Sequence, residues 1–252
     1  MEPSIVERYS RHIILPEIGG IGQKRLGASK VLVVGVGGLG SPILMYLTAS
    51  GVGQISVIDF DNVSVSNLQR QIIFGSEDLG KSKVKVAKSK LHYLNANTKL
   101  IAHSFALSPE NAKSLMIDCD LIIDGSDNPQ TRYLVNKFCY ELKKPLVSGG
   151  INQWDGYLSL HHESKVSACY ECIFPHRENT NSNLNCSASG VFGPLAGIIG
   201  TLMASESIKY LVQAGQLLSN EMLLYDALYG KMRRVKTQQR KNCKICGSEQ
   251  SC

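Results

Sequence analysis

The stretch Val31–Pro42, VLVVGVGGLGSP, decides the fold. Its first half is a β-branched run suited to a strand covered on both faces, and its second half is a glycine-rich turn entering a helix. Gly35, Gly37 and Gly40 match G-x-G-x-x-G, with Pro42 near the helix start and Gly51 near its end. The next apolar run, QISVIDFD, ends in Asp59, at roughly the interval where an acid accepts ribose hydroxyls. Strand, helix and strand in this order make a right-handed βαβ unit and hence a parallel sheet.

Outward from that unit the alternation continues. KSKVKVAKSKLHYLN, ENAKSLMIDC and PQTRYLVNKFCYELK read as helices, and KLIAHSFAL, DLIIDGSDN and PLVSGG read as strands. After PLVSGG the pattern changes to GYLSLHH, an apolar helix from about Gly190 to Gln213, and MLLYDALYGKMRRVKT, which reads as antiparallel. The expected fold is α/β: a doubly wound, Rossmann-like, mostly parallel sheet extended by antiparallel strands, behind an N-terminal helical arm. The chain then forms one domain over residues 1–252, with the arm at 1–27, a nucleotide-binding half at 28–150 and a second half at 151–252. The polar segment His176–Gly190 reads as a loop.

The composition narrows the function. The formal charge of +6 comes from lysines and arginines spread along the chain, which suits an anionic ligand or an acidic partner protein better than DNA. No apolar run is expected to approach a membrane span, and the N-terminus carries no export signal, so the expected location is the cytoplasm and no membrane is involved. In a reducing compartment the eight cysteines point to metal ligation or thiol chemistry.

The glycine fingerprint serves NAD and ATP alike. ATP carries about four negative charges, which exceeds what a helix N-terminus balances with its half-charge. Further cations and a metal-holding carboxylate are therefore required, and Arg70, Lys83 and Asp127 are placed to supply them at the strand ends. Each has a plainer alternative: Arg70 a surface ion pair, Lys83 a solvated lysine, Asp127 a cap for the helix after it. Cys169 and Cys172 in CYEC, with Cys243 and Cys246 in CKIC, make two C-x-x-C pairs suited to tetrahedral zinc with no open position; the alternative is two unrelated thiol pairs. Cys119 and Cys139 read as core residues and Cys252 as tail.

RYSRHIILPEIG, VLVVGVGGLGSP, DFDNVSVSNLQRQ, IDGSDNPQTRYLVN, CYEC, NCSASGVFGPLAGIIGTLMASESIKYL and CKICG together resemble the ThiF/MoeB/HesA family, bacterial relatives of ubiquitin-activating enzymes. The resemblance implies an adenylyltransferase that uses ATP and Mg²⁺, in a homodimer. Its substrate would be the C-terminal Gly-Gly of a ubiquitin-like sulfur carrier, ThiS-like or MoaD-like, for thiamine or molybdopterin synthesis. It implies that Gly35, Gly37, Gly38 and Gly40 receive ATP and that Asp59, with Asp61 nearby, serves the ribose end. Asn67, Arg70 and Lys83 would hold phosphates, Asp127 would bind Mg²⁺, and Arg11 would reach the partner subunit's ATP. Cys186 matches a sulfur-handling position in ThiF-like members and is a bystander in MoeB-like ones. No sulfurtransferase domain is expected after Cys246, so the sulfur donor would be a separate protein. A family member acting on a peptide or a modified tRNA base, and an NAD-dependent oxidoreductase, are the competing readings.

Overall fold

The computed structural model describes residues 3–161, 167–176 and 190–247. The arm is three short helices, α1 (Pro3–Arg8), α2 (Ser10–Ile13) and α3 (Gly19–Ala28). The alternating part follows as β1 (Lys30–Val34), α4 (Gly40–Ala49), β2 (Gln54–Ile58), α5 (Lys83–Leu94), β3 (Lys99–His103), α6 (Pro109–Met116), β4 (Leu121–Asp124), α7 (Pro129–Glu141) and β5 (Leu146–Asn152). The chain closes with β6 (Asp155–His161), α8 (Tyr170–Ile173), α9 (Gly193–Val212), β7 (Glu221–Asp226) and β8 (Lys231–Lys236).

All eight strands lie in one sheet, ordered β3-β2-β1-β4-β5-β6-β7-β8. Pairing is parallel from β3 across to β5 and antiparallel from β5 to β8, the fold class expected from the sequence. β1 alternates faces: Val31 and Val33 pack with Ile43, Leu44, Leu47 and Ile199 on one side, and Leu32 and Val34 pack with Met116 and Val135 on the other. Two apolar faces on one strand are what a parallel sheet covered by helices requires. Cys119 and Cys139 sit in the second of these cores, and burial pushes the Cys119 thiol up to about 11.

The membrane expectation needs one correction. Among the described residues α9 is long and apolar enough to cross a membrane, with a mean hydropathy of 1.3 over its best window. Its surroundings are those of a core helix, because Leu195, Ile199 and Met203 are fully buried against the sheet. Glu206, 4% exposed, accepts from Lys209 Nζ at 2.7 Å and from the backbone N–H of Leu218 at 2.6 Å. A helix apolar on every side belongs in the centre of a large domain as readily as in a bilayer.

β1 is hydrogen-bonded to β2 on one side and β4 on the other, so the chain leaves its two neighbours in opposite directions. A crevice opens at the carboxyl ends of strands wherever the order reverses in this way.

Candidate active site

A cleft of about 410 Å³ fills that crevice. Its floor is the glycine turn. Gly35 has φ +91, and a Cβ there would lie 3.0 Å from the carbonyl oxygen of Gly125 at the end of β4. A Cβ on Gly40 would lie 2.1 Å from the carbonyl oxygen of Gly35, so only glycine lets α4 begin this close to the turn. Asp59 ties the turn to β2: its Oδ2 accepts from the Val36 N–H at 2.7 Å and its Oδ1 from the Asp61 N–H at 2.8 Å. Burial pushes the Asp59 carboxyl up despite those two donors and the nearby Lys83 charge.

Lys83 is the first residue of α5 and only 4% exposed. A cation at a helix N-terminus opposes the macrodipole, and a buried one also loses its hydration, so local stability does not explain its placement. Its Nζ lies 2.8 Å from Oδ2 of Asp61, whose side chain is 49% exposed. Arg70 is half-buried; its Nη1 donates to the Ser66 carbonyl at 3.0 Å, and its stem passes Gly38, where a Cβ would be 3.4 Å from Arg70 Cγ. Asp127 lines the cleft too, and the capping alternative falls to its neighbour: Asn128 Oδ1 accepts from the Thr131 N–H at 2.9 Å as the N-cap of α7.

Gly35, Gly37, Gly38, Asp59, Asp61, Arg70, Lys83 and Asp127 therefore line one cavity. Gly40 braces it from behind. Asn67 does not line it; its carbonyl accepts from the N–H groups of Arg70 and Gln71 and so shapes the turn that carries Arg70. Arg11 is exposed on α2, away from the cleft of its own chain. Cys186 and Cys252 lie outside the described residues.

Next to α7 and the end of β6 the two C-x-x-C pairs meet. The four sulfurs of Cys169, Cys172, Cys243 and Cys246 all lie within 4.8 Å of one another and are buried. Neighbouring sulfurs are 3.3, 3.6 and 3.9 Å apart, against about 3.8 Å for four thiolates at 2.3 Å from a tetrahedral centre. The backbone N–H of Arg240 donates to Cys172 Sγ at 3.3 Å. Hydrogen bonds from Cys169 and Cys246 hold the Cys172 thiol well below the usual thiol range. The cluster can hold a metal ion, and its chemistry fits a thiolate-binding one.

The chain belongs to the ThiF family. The family model matches residues 9–246. The sulfur carrier protein adenylyltransferase of Thermus thermophilus is 42% identical over 97% of this chain and 92% of its own length. The adenylyltransferase and sulfurtransferase MOCS3 of Arabidopsis thaliana is 42% identical over the whole chain, which spans 54% of that protein. Among solved structures, E. coli MccB with ATP has the same fold, with a TM-score of 0.83 at 24% identity over 98% of this chain and 75% of that one.

In this ThiF-family chain the sequence reading missed Arg132. It is the fourth residue of α7, lines the cleft, and donates from Nη2 to the Ser126 carbonyl at 2.7 Å and from Nη1 to the Tyr157 hydroxyl. Beneath it Asp124 is buried, with Oδ1 accepting from the Ser126 N–H at 2.9 Å and Oδ2 without a partner. Burial pushes the Asp124 carboxyl up, while the Arg132 charge acts the other way.

Proposed function

We propose that this protein uses ATP to adenylate the C-terminal Gly-Gly carboxylate of a ubiquitin-like sulfur carrier and releases pyrophosphate. The observation that carries the reading is the convergence of the glycine turn, Asp59, Arg70, Lys83 and Asp127 on one cleft in a chain so close to the T. thermophilus enzyme. A carboxylate oxygen attacks the α-phosphorus, and the bond from that phosphorus to the bridging oxygen breaks. The electron pair leaves with pyrophosphate, so no proton moves and no residue need become covalently attached.

The work left to the chain is positioning and charge neutralisation. The glycine turn offers N–H groups to phosphate, Asp59 faces the ribose end, and Arg70 and Lys83 face the phosphates. Asp127 would hold Mg²⁺, which supplies further positive charge on the phosphate oxygens. The cysteine cluster would hold Zn²⁺ with all four positions filled, a structural role. The sulfur donor would be a separate protein. In a homodimer the exposed Arg11 would serve the partner's cleft, and the half at 151–252 would receive the carrier.

The test is ATP–pyrophosphate exchange by the purified protein with ThiS-like and MoaD-like carriers, each also lacking its Gly-Gly tail. Exchange is expected only with an intact tail, and the carrier that supports it names the pathway. Absence of exchange with every carrier would overturn the reading and bring forward a peptide or tRNA substrate.

A further inference from the structure

The cations lining the cleft are not equivalent. Lys83 already has an acid in contact, Asp61 at 2.8 Å, and half-buried Arg70 can exchange its Ser66 contact for water. Arg132, likewise half-buried, has no acid in contact and is anchored at two points. Its guanidinium is held by a backbone carbonyl, that of Ser126, and by the phenol of Tyr157, whose ring centroid lies 5.9 Å from Cζ. Tyr170 is a further neutral neighbour. Asp124 acts on Arg132 by its charge but makes no ion-pair contact, and it spends one oxygen on the Ser126 N–H. Among the described residues no carboxylate touches this guanidinium.

A cation fixed between neutral acceptors at the wall of a cleft is a site prepared for an anion. Its position says which one. Asp59, Asp61 and Lys83 stand at the β2 side of the crevice, whereas Arg132 bridges the end of β4 to Tyr157 on β6. Ile151 and Val191 line the cleft on that side, away from Lys83. A carboxylate brought beside a polyphosphate is repelled by it, and a planar fork of donors is the group best shaped to hold two carboxylate oxygens in place.

Building on the proposed adenylation, we propose that Arg132 binds the carboxylate of the acyl substrate and so selects a free C-terminus and points its oxygen at the α-phosphorus. The guanidinium stays protonated throughout; it moves no proton and breaks no bond.

The experiment compares a recombinant Gly-Gly carrier with the same carrier ending in a carboxamide, titrated into the full-length protein by calorimetry. Wild type should bind the carboxylate form about tenfold more tightly or better, the scale of one charge-assisted pair. Arg132→Gln should bind both forms with the affinity wild type has for the amide, with ATP affinity within about twofold of wild type, and Arg132→Lys should restore part of the preference. A purely structural role would weaken ATP and both carrier forms together and leave the preference intact, and that result overturns the proposal. Should Arg132→Gln fail to fold, Arg132→Lys alone decides: an undiminished preference and unchanged exchange rate would count against it. If wild type catalyses no exchange with any carrier, the adenylation reading fails first and this one falls with it. Exchange in wild type together with a preserved preference in Arg132→Gln removes this proposal alone.

Discussion

The cleft and the cysteine-held tail are fixed in place by opposite means. Around the cleft, geometry comes from what is missing: Gly35 and Gly40 have no Cβ, so the turn after β1 meets Gly125 after β4 and the first residue of α4 backbone to backbone, above the apolar core that packs β1 on α4. The tail from Thr237 to Gly247 has no strand or helix of its own, and the cluster it joins is four cysteines with Ala168, Ile173 and Ile245. Its apolar surface is too small to hold it. Where large cores surround a site, close packing sets it to within tenths of an ångström; where no core is available, metal ligation substitutes for burial.

The largest expected effect follows from the second half of that comparison. Cys243→Ser, or dialysis against a strong chelator, should remove bound metal measured by atomic emission and lower Tm by about 10 °C or more, because metal binding and local folding are one equilibrium. A Tm that does not move on metal loss would show that other contacts hold the tail and would break the comparison.

Next comes the glycine turn. Gly40→Ala drives a methyl into the Gly35 carbonyl and should cost about 3 kcal/mol or more in urea unfolding, if the variant is soluble at all. Gly27→Ala, in α3 with nothing within 4 Å of the added Cβ, should gain about 0.5–1 kcal/mol. Equal effects at the two positions would mean that the turn tolerates a side chain.

The same contrast explains what could be read from the sequence. The turn, Asp59, Lys83 and Asp127 were legible because each lies at a strand end or helix start, where residue type and interval mark it. The antiparallel edge was legible from the change in apolar pattern after PLVSGG. Arg132 was not: in PQTRYLVN it looks like one polar residue of a helix surface, and its partners are a backbone carbonyl and Tyr157, a residue on another strand. Asp61 could be grouped with nucleotide ligands by position, but only coordinates show its carboxylate resting on Lys83. The extent of α9 was legible, but its hydropathy reaches the membrane-spanning range because Glu206 and Lys209, which interrupt the apolar run, are the only two charges in it and are paired with one another.

Asp59 offers a smaller test of how tightly the turn is closed. Its native pKa is raised above the ordinary 3.8 by burial, so the protonated form is the one the fold favours. The stability this group contributes is therefore fully present below pH 3.8 and is lost as pH rises through the higher native value. Urea unfolding of wild type and Asp59→Asn across that window should show wild type losing stability relative to the variant as pH increases. The opposite slope would mean that the Val36 and Asp61 N–H groups outweigh burial.

The smallest effect tests whether Asp61 stands in for a phosphate. With its side chain half-exposed, the pair it makes with Lys83 is worth only about 1 kcal/mol, so Asp61→Asn should lower the stability of the nucleotide-free protein by no more than that. The same change releases Lys83 from a competing anion and removes the negative charge beside it in the cleft. ATP affinity by calorimetry should then rise about threefold, and the thermal shift on adding ATP should grow by a matching amount. A carboxylate that served the nucleotide directly, as a ribose or metal ligand, would produce the reverse, a loss of ATP affinity. The sign of this one change therefore separates a cleft whose charges are arranged for its empty state from one whose charges are arranged only for its ligand.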